Sequence, residues 1–374
     1  MTIRAAMNLL WCVPGVGGSE EYLVRQLHGL HEITADVHVE VFAPRGFAAR
    51  QPLVAERFTV HEAPNDCTRR QVRVLLEHTW LAARTRGFDL VHHGGGTLPR
   101  TGNRRTLLTI HDIQWTEHPE YVAPLKLRYL RSVVPSSARR ATRIAVPTSF
   151  VRDTLSRDLG IAPSKVGVVR HGLEAHLDAT ATPEPQLRHR FGLGDGPVLV
   201  FPAITHPHKN HAFILDLLEQ TEGPWADPDL RVVFAGSAGA AESEVRARVA
   251  SSSAGSRVVM PGRVSHADRN GLLAMADAMV FPSGYEGFGA PVIEAMRFGT
   301  PVITSDRACL PEVVDGAGVV APLTIGDWNA ALVTVRADRA RLVAAGHDRV
   351  RTFTAAESAR DLVREYALVA GSDR

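Results

Sequence analysis

Residues 281–304 run Phe281-Pro282-Ser283-Gly284-Tyr285-Glu286-Gly287-Phe288-Gly289-Ala290-Pro291-Val292-Ile293-Glu294-Ala295-Met296-Arg297-Phe298-Gly299-Thr300-Pro301-Val302-Ile303-Thr304. The order is strand end, glycine-rich loop, helix, turn and second strand, the repeating unit of a parallel α/β sheet. Gly284, Gly287 and Gly289 let backbone approach a ligand closely. Pro291 suits the first turn of a helix, where a missing N–H costs nothing. The N–H groups at such a helix start attract an anion, a phosphate first of all. Glu286 and Glu294 bracket the loop, and a carboxylate beside a phosphate is unfavourable unless it binds something neutral. Hydroxyls of a sugar or a ribose meet that need, so this stretch by itself predicts a nucleotide-sugar site.

The chain has 374 residues, more than one hydrophobic core normally serves, so two domains are expected. Its 45% hydrophobic and 22% charged residues place it among globular proteins rather than disordered or fibrous ones. A formal net charge of +2 gives no support for nucleic acid as a partner. Cys12, Cys67 and Cys309 are far apart and lack a CxxC spacing. Disulfides and zinc are therefore not expected, and a reducing cytoplasm fits. The apolar start runs directly into Pro14-Gly15-Val16-Gly17-Gly18. It reads as a buried first strand, residues 7–13, rather than a signal peptide or membrane span.

A helix follows, with Leu23, Leu27 and Leu30 on one face and Ser19 as its N-cap. Strand, glycine loop and helix open a nucleotide-binding type of α/β domain, although Gly15, Gly17 and Gly18 do not match the dinucleotide spacing. Residues 37–43 alternate as a strand and 70–86 form a helix. Residues 88–93 lead as a strand into Gly94-Gly95-Gly96. Residues 105–110 form another strand, ending at His111-Asp112, where open α/β sheets place ligands. Pro124 to Arg143 reads as a helix carrying Lys126, Arg128, Arg131, Arg139, Arg140 and Arg143. Most such runs are solvated faces; the other reading is a weak peripheral contact with the inner face of an anionic membrane, or with an acidic acceptor. Ser149 caps a helix over 150–159, and 166–169 is the last strand of this half. Residues 173–196, rich in Ala, Thr, Pro and Gly, read as a linker. The alternation then restarts, with strands at 198–201, 230–235, 257–260, 278–281 and 301–304 and helices between them. Two rounds of βα units predict two doubly wound domains facing each other across a cleft.

Pro282 to Met296, Gly299-Thr300-Pro301-Val302 and Leu310-Pro311-Glu312-Val313 together resemble glycosyltransferase family 4. Gly17-Gly18-Ser19-Glu20, Thr109-Ile110-His111-Asp112, Pro147-Thr148-Ser149, His171-Gly172, His208-Lys209-Asn210-His211 and residues 353–359 extend the resemblance over most of the chain. It implies the GT-B fold, two Rossmann-like domains with an interdomain cleft. Residues 1–178 would bind the acceptor, 179–355 the nucleotide sugar, and 356–374 would form a helix crossing back to the first domain. The implied reaction is transfer of a hexosyl group, with retention, from a nucleoside diphosphate sugar to an acceptor hydroxyl. GDP-mannose or a UDP-hexose is the expected donor; the acceptor is a glycan, a lipid-linked glycan or a natural product. The Ala- and Arg-rich composition points to a bacterium. The alternatives are a nucleotide-sugar 2-epimerase on the same scaffold and a non-catalytic nucleotide-sugar-binding protein.

The resemblance implies that Glu286 binds hydroxyls of the donor sugar, Glu294 the ribose hydroxyls, and Lys209 the diphosphate. Amides around Gly287, Phe288 and Gly289 would share that charge, with Arg263 as a further cation. Gly17 and Gly18 would line the cleft from the other domain, with His111 near the anomeric carbon. Glu286, Lys209 and His111 would carry the catalysis, with no covalent nucleophile. Gly95, Thr97, Asp112 and Trp115 would meet the acceptor. Family members often have an arginine five residues before the lysine; this chain has Ile204 there, and Thr205, His206 or Arg263 would compensate. There is no convincing Asp-x-Asp metal site, and no metal or other cofactor is expected, because fixed cations and amide dipoles can stabilise the leaving diphosphate.

Overall fold

The computed structural model describes residues 2–15, 18–173 and 180–371; Gly17 lies outside them. The chain divides into two compact units, Met1–Glu174 with Phe353–Arg374, and Ala175–Thr352. The first holds strands β1 (Ile3–Asn8), β2 (Val37–Ala43), β3 (Thr59–Glu62), β4 (Leu90–His93), β5 (Thr106–Thr109), β6 (Arg143–Val146) and β7 (Val166–Val168), in the order β3-β2-β1-β4-β5-β6-β7. The second holds β8 (Val198–Phe201), β9 (Arg231–Phe234), β10 (Val258–Val259), β11 (Ala278–Phe281), β12 (Val302–Ser305) and β13 (Val319–Ala321), in the order β10-β9-β8-β11-β12-β13. All pairings are parallel, with Ala5 beside Leu90 in one sheet and Phe201 beside Phe234 in the other. β4, β5, β8, β11 and β12 are buried along their whole length, as parallel strands covered on both faces must be. These are two Rossmann-like domains.

In each sheet the strand order reverses beside the unit's first strand, between β1 and β4 and between β8 and β11. The loops leaving the carboxyl ends of such a strand pair diverge, and the crevice they leave is where these sheets bind ligands.

The last helix, Ala355–Gly371, packs on the helix Gly18–Glu32 in the first unit. Leu23 and Leu27 share one buried cluster with Leu362 and Tyr366. The return starts at Phe353, whose carbonyl accepts from Leu173 N at 2.6 Å. Two ion pairs pin the helix: Arg143 Nε donates to Glu365 Oε2 at 2.6 Å and Arg170 Nε to Asp361 Oδ2 at 2.9 Å. Asp361 is buried and also accepts from Arg364 of its own helix, so its charge is matched from two sides.

Several expectations are corrected. The first strand covers Ile3–Asn8 rather than 7–13. Asn8 Oδ1 accepts from Leu10 N at 3.1 Å and Cys12 N donates to Leu9 O at 2.9 Å, so the side chain turns the backbone out of the ladder. Ser19 is not a cap but lies inside a helix that starts at Gly18. Thr148, not Ser149, caps the helix Ser149–Leu159, accepting from Val151 N. The helix expected over 70–86 runs from Arg70 to Arg84, with a π turn at Glu77–Leu81. The basic helix ends at Arg140, and Arg143 opens β6. Arg140 is spent on the carbonyls of Leu98 and Pro99, and Arg143 on Glu365. The stretch read as a linker contains the helix Glu184–Phe191, anchored by buried Leu187. Among the described residues, no helix is long and apolar enough to cross a membrane.

Candidate active site

In the second unit, the chain leaves β8 through Ile204 and Thr205 and makes one tight turn at Pro207–Lys209. Thr205 Oγ1 donates to Glu242 Oε2 at 2.6 Å and accepts from Gly239 N at 2.7 Å. Thr205 therefore fixes this loop against the one after β9, and its hydroxyl is committed to the fold. The loop after β11 is tied to the same turn, because Gly284 N donates to His208 O at 2.7 Å. Ser305 Oγ, at the end of β12, donates to Ser283 O at 2.5 Å. These bonds bring Lys209 and Glu286 together, and Lys209 Nζ donates to Glu286 Oε1. The side chains of the pair are only 14% and 11% exposed, so each is largely shielded from water but not sealed off. Lys209 Nζ also stands 5.4 Å from the centroid of the Phe281 ring.

Immediately after buried Phe288, Gly289 adopts a φ of 83° and becomes the N-cap of the helix Ala290–Arg297. That left-handed geometry suits glycine, and no side chain caps the helix. Glu294 is buried one turn in, with its Oε2 3.5 Å from Arg269 Nη1. Arg263 is exposed in a bend. Cys309 is buried, and burial followed by the charge of Glu286 pushes its thiol well up, so it is not a nucleophile at neutral pH.

The histidines of the 206–211 stretch divide in two. His211 is core: it packs 4.4 Å from the Phe201 ring and 4.9 Å from Phe234, and burial lowers it to about 4. His206 and His208 stack on each other at 5.7 Å. Among the described residues, no three His, Cys, Asp or Glu side chains gather as a metal would require.

In the first unit, Gly18 is exposed at its helix start, with nothing within 4 Å of where a methyl would stand. His111 follows β5. Its Nε2 donates to Gly94 O at 3.1 Å, and its ring lies 5.4 Å from Tyr22 and 5.8 Å from Trp11. Burial lowers His111 to about 4, against the opposing pull of the Gly94 carbonyl. It is thus neutral at pH 7, with the lone pair on Nδ1. A cavity of about 290 Å³ opens here, and its lining includes Gly95, Thr97, His111, Asp112 and Trp115. Asp112 Oδ1 accepts from Gln114 N at 3.0 Å, which begins the short helix that carries Trp115 into the wall.

Three residues at these sites were missed in the sequence. Arg269 faces Glu294, and Arg70 and Arg73 line the first unit's cavity. Their helices were legible, but an arginine on a helix carries no mark of the face it occupies until the helix is packed.

Comparison with known proteins agrees over both units. The chain matches the family model "Glycosyl transferases group 1" over residues 184–342 and "Glycosyltransferase Family 4" over residues 16–177. It is 25% identical over 293 residues to the O-antigen chain mannosyltransferase RfbU of Salmonella typhimurium, covering 75% of each chain. Among solved structures, it resembles Anabaena HepE in complex with UDP and glucose, with a TM-score of 0.73 and 17% identity over 98% of this chain and 99% of that one. Sucrose-phosphate synthase from Thermosynechococcus elongatus gives a TM-score of 0.72 and 20% identity over 99% and 100% of the two chains. At those identities the solved structures speak to a shared fold alone.

Proposed function

The chain belongs to the group 1, family 4 glycosyltransferases, and we propose that it transfers a hexosyl group from a nucleoside diphosphate sugar to an acceptor hydroxyl with retention of configuration. One observation carries this reading. Lys209 and Glu286 leave neighbouring strands, β8 and β11, at the reversal point of the second sheet, beside the helix start at Gly289. A cation, a carboxylate and a helix N-terminus are the groups a nucleotide sugar needs.

Breaking the bond from sugar to phosphate builds positive charge at the anomeric carbon and negative charge on the diphosphate. Lys209 and the amide dipoles near Gly287, Phe288 and Gly289 stabilise the diphosphate; losing one such donor typically costs about 2.7–4 kcal/mol, or roughly 10²–10³ in rate. Without ligand, Glu286 neutralises Lys209. With the donor bound, the diphosphate takes the ammonium and Glu286 turns to the sugar hydroxyls. Glu294, set by Arg269, accepts from the ribose hydroxyls, and Arg263 is a further cation on the same unit. As the anomeric carbon–oxygen bond to phosphate breaks, the acceptor oxygen bonds to that carbon on the same face, and its proton passes to the departing phosphate oxygen. No covalent nucleophile and no metal enter this scheme. In the first unit, neutral His111 accepts a sugar hydroxyl through Nδ1, Gly18 leaves room for the ligand, and the cavity beside His111 takes the acceptor.

The mannosyltransferase relative supports GDP-mannose as donor and a glycan as acceptor. A UDP-hexose is the next choice, and HepE, which shares the fold, was solved with UDP-glucose. Three unpaired, buried cysteines fit a cytoplasmic enzyme with at most a peripheral hold on a membrane. The test is a thermal-shift screen of GDP-, UDP- and dTDP-sugars, since a bound donor stabilises in proportion to occupancy. One nucleotide series should raise the melting temperature, and Lys209→Ala should lower turnover at least 100-fold. Absence of any shift, or full turnover by Lys209→Ala, would overturn the assignment. Conversion of donor without acceptor would point to an epimerase.

A further inference from the structure

The cavity beside His111 has a chemistry that acceptor hydroxyls alone do not explain. Three cations line it: Arg70 and Arg73 from the helix Arg70–Leu76, and Lys126 from the helix Pro124–Arg140. The two arginines are three residues apart, hence on one helix face. Neither forms an ion pair among the described residues. Each has its Nε–H shut away from water without a hydrogen-bond partner, and so has the side-chain amide nitrogen of Gln114 in the same wall. A buried donor left unsatisfied is costly and uncommon in native proteins. Three such donors in the wall of one cavity mark hydrogen-bonding capacity that the fold itself leaves unused.

The geometry narrows the class. The Arg70 guanidinium lies 3.5 Å from the centroid of the Tyr129 ring, which holds its plane while leaving its edge to donate. Planar guanidinium edges match the oxygens of phosphate and carboxylate. The cavity edge carries one opposing carboxylate, Asp112, whose Oδ1 is engaged by Gln114 N. Glu77, whose buried carboxyl feels Arg73 and Arg70, is pushed toward its neutral form by burial, so three cations against one lining carboxylate leave room for a dianion. The apolar wall of Trp115 and Leu130 suits a group carried on a carbon skeleton rather than a free ion.

We propose that this cavity binds a phosphoryl group borne by the acceptor, held by Arg70, Arg73, Lys126 and Gln114. The proposal rests on the transferase reading for the word acceptor, but the binding itself is a property of the first unit and can be measured without transfer. The phosphoryl group could arrive on a phosphorylated sugar or on an isoprenyl diphosphate, and the same experiment separates them.

The test uses the full chain and inorganic phosphate, followed by phosphorus NMR titration, for the native protein, Arg70→Gln, Arg73→Gln and Lys209→Gln. Phosphate affinity should fall at least tenfold in Arg70→Gln and Arg73→Gln and persist in Lys209→Gln. Circular dichroism melts without phosphate establish that each variant is folded. Equal affinity in the native protein and in a folded Arg70→Gln overturns the proposal. So does loss of binding in Lys209→Gln alone, which would put the anion in the second unit. Mannose 1-phosphate and geranyl diphosphate are then competed against phosphate. Stronger displacement by the first identifies a phosphorylated sugar, stronger displacement by the second a lipid diphosphate, and displacement by neither overturns the proposal. A chain that binds phosphate here yet turns over no nucleotide sugar keeps the cavity and loses the enzyme, so the two failures are distinguishable.

Discussion

Lys209 and Glu286 satisfy each other in the ligand-free chain, and that pairing makes their roles separable. In Glu286→Gln the ammonium keeps its position but loses its countercharge. An underpaired, largely buried charge costs about 1–3 kcal/mol, so the melting temperature should fall. The same ammonium is freer to meet a diphosphate. Calorimetry should find the affinity for sugar-free UDP or GDP unchanged or higher in Glu286→Gln, while turnover drops by roughly 10². If nucleoside diphosphate affinity fell in step with turnover, Glu286 would be a nucleotide ligand and not a sugar ligand. The spacing of Glu286, Glu294 and the glycines between them was legible because a loop and a helix start place such residues within one local unit. Arg269, Arg70 and Arg73 were not, because the carboxylate that Arg269 faces and the cavity walls opposite Arg70 and Arg73 come from elements distant in sequence. Ile204, expected to mark a missing cation, is half-buried, and its neighbour Thr205 is fully used by Glu242 and Gly239.

The helix Gly18–Glu32 meets the last helix at Gly29, where a methyl group would overlap the Ala355 carbonyl. Helix propensity alone favours Gly29→Ala by about 1 kcal/mol. Overpacking against backbone costs about 1–3 kcal/mol and cannot be relieved by a rotamer change. The clash should win, and Gly29→Ala should melt several degrees lower in calorimetry. A variant more stable than the native chain would show that the two helices can slide apart without loss. Elements of this kind set the limit of what was readable. The strand β2 announces itself by alternation, and β8 and β11 as apolar runs closed by a turn. The segment Leu9–Cys12 is equally apolar and buried, yet it is a pair of tight turns, because Asn8 offers its side chain to the backbone. The helix Glu184–Phe191 was hidden by flanking prolines and glycines, which cap and terminate it rather than forbid it.

Each unit carries its own sheet and its own buried groups, and their acid sensitivity should differ. In the first unit, burial lowers His92 and His93 to about 3, His111 to about 4, and His171 well below its ordinary value of 6.5. In the second, burial lowers His211 to about 4. A histidine held neutral in the fold takes up its proton at pH 6.5 once unfolded. Stability is therefore full above that pH and falls as pH drops toward the folded value, by up to about 1.4 kcal/mol per pH unit for each group. Glu77, held above the ordinary carboxylate range by burial, opposes this by one proton, because the folded state protonates it first. Four histidines against one carboxyl still leave the first unit losing more stability from pH 6.5 downward than His211 costs the second. Hydrogen exchange at pH 7 and pH 5, corrected for intrinsic rates, should show β4 and β5 losing protection by a larger factor than β8 and β11, with no change in either between pH 7 and 8. Equal losses in the two sheets would mean that the histidines of the first unit reach water in the folded state. Protonated His92 would donate from both ring nitrogens, so the hydroxyl that had donated to the neutral ring, Tyr366 Oη at 2.9 Å or Thr109 Oγ1 at 2.7 Å, would have to turn its proton away, and loosening of the last helix, which carries Tyr366, would identify Tyr366 as that donor.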